Sequence, residues 1–128
     1  MANSDRRKKG LEMLHEVYAG DVVSPPEGNV FTDIMLEQVF AEVWSRDVLS
    51  IRDRRLLLLG VIAEKGEPMT FGIQIKAAMK RGELSPTEVR ELLLMIAQYA
   101  GYPRAAALVA IVEQKIAEVE AEKQAKKS

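Results

Sequence analysis

The chain has 128 residues, 48% of them hydrophobic and 29% charged, with a net charge of −1; this is the composition of one globular domain and excludes a disordered chain. With no cysteine and one histidine, a disulfide framework, a thiolate metal site and a thiol nucleophile are excluded, and a His-based zinc site lacks its ligands. Basic residues gather only locally, at Arg6–Lys9, Arg52–Arg55 and Lys123–Lys127, which gives no footprint for nucleic acid.

The pattern predicts helices throughout, and no strand. The leading M-A-N-S-D-R-R-K-K-G lacks the apolar core of a signal peptide, so a cytoplasmic location is expected. Asn3 or Ser4 caps a first helix to about Tyr18, with Leu11, Leu14, His15 and Tyr18 on one face. Residues 20–29, with two prolines and two glycines, form a loop. Thr32 is the expected N-cap of a second helix through Trp44, whose apolar stripe is Met35, Val39, Phe40 and Val43. Ser50 and Asp53 resemble a capping box at the start of a third helix, Ile51 to Lys65, which is apolar on all sides and ends at Gly66.

A fourth helix is expected over Met69–Arg81, closed by Gly82. Ser85, Pro86 and Glu88 are a strong start signal for a fifth, which runs to Ala100 with Val89, Leu92, Leu93 and Ile96 inward. The last helix starts near Pro103 and spaces Leu108, Ile111, Val112, Ile116 and Val119 as a seam. Its charged end, Glu118–Ser128, is expected to fray. The longest apolar runs, Leu56–Ala63 and Leu92–Ala97, are too short to span a bilayer. A chain of this size buries only about two thirds of its unfolded surface, so self-association would add stability.

From Arg54 to Pro103 the chain reads R-R-L-L-L-L-G-V-I-A-E-K-G-E-P-M-T-F-G-I-Q-I-K-A-A-M-K-R-G-E-L-S-P-T-E-V-R-E-L-L-L-M-I-A-Q-Y-A-G-Y-P. This resembles the core of the carboxymuconolactone decarboxylase family. There an Arg-led apolar helix precedes H-x-x-A-x-x-x-G, then T/S-P-E-E-[IV]-R-E-[VL]-L and Y-x-G-x-P. Trp44, Arg46, Leu49 and Arg54 match the family's preceding segment, and Arg7–Gly20 resembles its leading helix and loop. The resemblance implies an all-α fold of about six helices, an alkyl hydroperoxidase D-like bundle, as a single domain over 1–128. It also implies a homotrimer or homohexamer. The thiol peroxidase reaction of the superfamily's C-x-x-C members is excluded, because there is no cysteine.

The resemblance implies an acid and a His four apart on the fourth helix; here those positions hold Thr70 and Gln74. An i, i+4 pair shares a face, but neither side chain is a general base. The pair either orients a ligand or satisfies buried groups in a site that has lost its chemistry. Glu64 and Glu67 flank the turn before it, and Glu64 is the better candidate for the missing carboxylate. His15, the only imidazole, is the other candidate for a relocated base, or else a packed helix residue. Trp44 and Tyr99 suit the walls of a pocket for a flat ligand, with core packing the alternative. Arg54 either holds a substrate carboxylate or pairs structurally.

Two functions follow. One is a lyase acting on a small cyclic carboxylate or lactone, with His15, Glu64 and Gln74 as catalytic candidates and Thr70, Tyr99, Trp44 and Arg54 binding substrate. The other is a ligand-binding or structural homo-oligomer that kept the fold. No metal, cofactor, nucleic acid or membrane partner is expected.

Overall fold

The computed structural model describes residues 4–127. These are helical without strands: α1 (Ser4–Val17), α2 (Val30–Ile34) running into a π-helical stretch (Met35–Trp44), α3 (Ile51–Lys65), α4 (Pro68–Lys80), α5 (Pro86–Ala100) and α6 (Tyr102–Lys127). This is an all-α architecture, consistent with an alkyl hydroperoxidase D-like helical bundle. No described helix is long and apolar enough to cross a membrane. The chain forms two compact units that divide between Arg54 and Arg55.

In the first unit α1 lies along the π-helical stretch, and Leu14, Val17, Leu36, Phe40, Ala41 and Trp44 are buried. The cap expected at Asn3 or Ser4 falls outside the described side chains. Gly10 explains the close approach. A Cβ there would overlap the Leu36 carbonyl oxygen and stand 3.0 Å from the Leu36 Cβ. The expected apolar stripe is corrected by the structure: Val39 and Val43 are exposed, while Leu36, Phe40 or Ala41, and Trp44 point inward. The four-residue steps Leu36, Phe40, Trp44 are longer than 3.6 residues, in line with i→i+5 hydrogen bonding, which shifts the buried face. The N-cap is also earlier than expected. Asn29 accepts the Thr32 N–H (3.3 Å), while Thr32 is already helical and its hydroxyl donates to the Asn29 carbonyl (3.2 Å). Asp33 accepts the Gly28 N–H and pairs with Arg7, which also donates to the Pro25 carbonyl, tying the loop down.

In the second unit the core is Leu59, Ile62 and Ala63 of α3, Phe71, Ile75, Ala78 and Met79 of α4, Leu84, Val89 of α5, and Leu108, Val112, Ile116 and Val119 of α6. Each large apolar side chain fully removed from water contributes roughly 1.5–3 kcal/mol. The start of α5 has the full capping box: Ser85 Oγ accepts the Glu88 N–H (3.1 Å) and Glu88 accepts the Ser85 N–H (2.8 Å). One expectation changes. The helix α3 is not buried all round, since Leu57 is 69% exposed. The stretch from Glu118 is helical to Lys127. Glu118 and Glu122 hold it against α4 through Lys76 (3.1 and 2.7 Å) and Lys80 (3.4 Å).

Candidate active site

The helix α3 has two faces with different tasks. Arg55, Leu59 and Ile62 follow i, i+4, i+7 spacing and point inward. Gly60 and Glu64, also four apart, line a cleft of about 390 Å³ together with Met95, Ile96, Tyr99 and Ala100. On α5 the pairs Met95/Tyr99 and Ile96/Ala100 are one turn apart, so both helices present aligned rows to the cleft. Gly60 opens it: a Cβ built there meets nothing within 4 Å. The walls are apolar, and Glu64 and Tyr99 supply a carboxylate and a phenol. Glu64 and the 85%-exposed Tyr99 leave the cleft open to solvent.

The inward face of α3 carries a buried charge cluster. Arg55 is fully buried and Gln74 is 1% exposed. The Arg55 guanidinium forks onto Glu83, with Nε to Oε1 at 2.9 Å and Nη2 to Oε2 at 3.1 Å. Its Nη1 donates to the Gln74 side-chain carbonyl at 2.8 Å. Arg81 Nε adds a third bond to Glu83 at 2.6 Å. Burial pushes the Glu83 carboxyl up, but hydrogen bonds and charge from Arg55 and Arg81 outweigh it, and the net shift is downward. Glu83 is therefore an anion at neutral pH, as a buried Arg55 requires.

The sequence candidates divide accordingly. Glu64 and Tyr99 meet in one cleft. Gln74 faces the buried arginine, with its carbonyl occupied. Thr70 is exposed in the first turn of α4. Glu67 is the N-cap of α4, with no side-chain capping bond. In the first unit, Trp44 is buried and stacked on Phe40, with ring centroids 6.4 Å apart at 8°. Partly exposed His15 has Nε2 2.8 Å from Ser24 Oγ. Arg54 Nη2 donates to the Arg46 carbonyl at 3.2 Å, and its buried Nε has no partner among the described residues. Among the described residues no three His, Asp or Glu side chains gather where they would hold a metal ion.

Sequence reasoning passed over Arg55 and Glu83. Their signal was present: Arg55, not Arg54, shares the stripe of Leu59 and Ile62, and a charged residue on an apolar stripe demands a partner.

The carboxymuconolactone decarboxylase family model matches residues 31–114, from α2 into α6. The chain belongs to this family. A 4-carboxymuconolactone decarboxylase of Acinetobacter baylyi is 28% identical over 120 residues, covering 89% of each chain. A nitrosuccinic acid decarboxylase of Metarhizium robertsii is 25% identical over 114 residues, covering 84% of this chain and 79% of its own length.

Proposed function

We propose that this protein is a decarboxylating lyase for a small organic acid of the cyclic carboxylate or lactone type, and that its reacting atoms sit in the α3/α5 cleft. One observation carries the proposal: Glu64 and Tyr99 face a single apolar cleft, whereas Gln74 is spent on Arg55. Both relatives are decarboxylases by name, which supports the reaction class.

Loss of carbon dioxide leaves an electron pair on the α-carbon, which a neighbouring carbonyl must accept. The Tyr99 hydroxyl donates a hydrogen bond to that developing oxyanion. The apolar walls of Met95, Ile96 and Ala100 hold the carbon skeleton of the substrate. Glu64, at the solvent edge, relays a proton from water to the α-carbon, so the pair released by C–C cleavage ends in a new C–H bond. Gln74 and Thr70 have no proton to exchange at neutral pH and take no step. His15 and Arg54 are given none either; Trp44 is a core residue of its unit.

Purified protein is assayed for carbon dioxide release from a panel of lactone and cyclic carboxylic acids. Glu64→Gln is expected to lower kcat by roughly 10²–10⁴-fold, and Tyr99→Phe by a smaller factor, with circular dichroism unchanged. Full turnover in Glu64→Gln would remove the cleft from the reaction.

Self-association is proposed beside this. Leu57, Leu94, Met95, Tyr99 and Tyr102 are 69%, 59%, 62%, 85% and 67% exposed, apolar and aromatic side chains that a second copy would cover. Sedimentation equilibrium expects a trimer or hexamer; a monomer at micromolar concentration would refute it.

A further inference from the structure

The chain has eight glycines. Five take a positive φ, where a larger residue is disfavoured. Gly10 and Gly72 stand where a Cβ would strike Leu36 or Ile111. Gly60 has neither reason. It lies well inside α3, its φ is not positive, and a Cβ there meets nothing within 4 Å. Glycine in a helix interior is destabilising relative to alanine. At Gly60 the fold carries that cost without gaining a turn or a close helix contact.

What the position does gain is space in the cleft, which Gly60 lines together with Glu64, Met95, Ile96, Tyr99 and Ala100. Glu64 follows one turn further along α3, about 6 Å along the axis. Side chains on a helix lean toward its N-terminus, so Glu64 leans back over the turn that Gly60 leaves bare. Any side chain at position 60 would fill the space beside that carboxylate. Among the lining residues only Glu64 and Tyr99 carry polar side chains. With those two at the reacting atoms, a substrate group lying over Gly60 meets apolar surface alone.

We infer that Gly60 is a specificity-determining residue: the side chain it lacks makes room for a short alkyl substituent of the substrate, so that the cleft prefers an alkyl-substituted acid to its unsubstituted parent. The inference rests on the decarboxylase reading and names a substrate class for it. The substituent lies on the α3 backbone at Gly60, one turn from Glu64, against the apolar walls. Each methylene it removes from water favours the substituted acid. Alanine at this position takes the same space and removes the preference.

The test uses the full-length protein and two readouts. The first is steady-state kinetics with a five-membered lactone carboxylic acid and with its ethyl-substituted homologue. Wild type is expected to favour the homologue in kcat/KM by roughly tenfold, the low end for added carbon in an apolar pocket, because this cleft is open to solvent. Gly60→Ala, which has open space for its methyl group, is expected to lose the homologue by about that factor and to keep the parent acid. Val61→Ala, at an exposed neighbour outside the cleft lining, leaves the ratio unchanged. A wild-type ratio in Gly60→Ala, or a ratio that moves as far in Val61→Ala, overturns the inference. Equal loss of both acids in Gly60→Ala with a changed sedimentation profile also overturns it, and assigns the glycine to packing against a second copy.

The second readout needs no turnover: γ-butyrolactone and γ-hexalactone, the same ring with an ethyl group, are titrated into ¹⁵N-labelled protein. γ-Hexalactone is expected to bind wild type more tightly, with shifts at the Gly60 and Glu64 amides, and Gly60→Ala is expected to bind the two alike. If neither acid is turned over but the ethyl preference depends on Gly60, the alkyl subsite stands and the decarboxylase reading falls. If both acids are turned over with a ratio indifferent to Gly60, the reverse holds. Lactone binding that is absent, or that shows no ethyl preference in wild type, overturns the subsite.

Discussion

The Arg55–Glu83 pair offers the strongest stability test, and its cost is worked from burial. Arg55 is 0% and Glu83 7% exposed at the side chain, and the carboxylate accepts hydrogen bonds at 2.9, 3.1 and 2.6 Å. Glu83→Gln keeps the shape but removes the charge, and turns N–H donors toward a guanidinium that has none to accept them. Leaving one member of a buried pair uncompensated costs about 3–5 kcal/mol. The folded-state pKa of Glu83 lies below its ordinary value of 4.5. Its contribution is therefore complete above that ordinary value and is lost as pH falls through the lowered folded value. Urea denaturation of wild type and Glu83→Gln should differ by that amount at pH 7 and converge in acid. Arg55→Met combined with Glu83→Leu should recover part of the loss, because the fully buried charge is gone, while the part-exposed Arg81 loses its carboxylate and Gln74 its donor. A Glu83→Gln cost below about 1 kcal/mol, the range of a surface pair, or one that does not change with pH, would refute the reasoning.

Three further outcomes are expected. Gly60→Ala adds a Cβ into open space and should stabilise the exposed helix by roughly 0.5–1 kcal/mol, while Gly60→Leu should fill the cleft and abolish turnover; thermal melts beside the activity assay separate the two. Gly10→Ala should cost roughly 1–3 kcal/mol by overpacking against Leu36, read as a lower urea midpoint. Hydrogen bonds from Gln114 and then Lys76 hold the Glu118 pKa at about 2. The resulting stability is present above the ordinary carboxylate value and fades as pH falls toward 2; screening keeps it below about 1 kcal/mol. Glu118→Gln should flatten that acid limb.

Legibility followed the range of the forces involved. Local signals carried through: Ser85, Pro86 and Glu88 form the capping box expected of them, and α3 ends at Lys65, before a left-handed Gly66. These depend on a few adjacent residues. The π register of Met35–Trp44 was not legible, because a 3.6-residue period was assumed where packing against Gly10 accompanies a longer one. Arg55 and Glu83 are 28 residues apart, and neither is unusual until the fold brings them together. For the site, Glu64 as a candidate carboxylate and Tyr99 as a pocket wall belong to one lyase reading, beside His15, Thr70 and Gln74. The common cleft of Glu64 and Tyr99 comes from the alignment of α3 with α5, which no local pattern contains. Gln74 was singled out through the family's pattern, and the physics of its position came only with Arg55.

The most direct test of where the chemistry resides is a crystal structure of the protein soaked with a lactone carboxylate. The account predicts ligand density between α3 and α5, with an oxygen within hydrogen-bond reach of Tyr99 and the α-carbon facing Glu64. Density anywhere else, with the Gly60–Ala100 cleft empty, would contradict it.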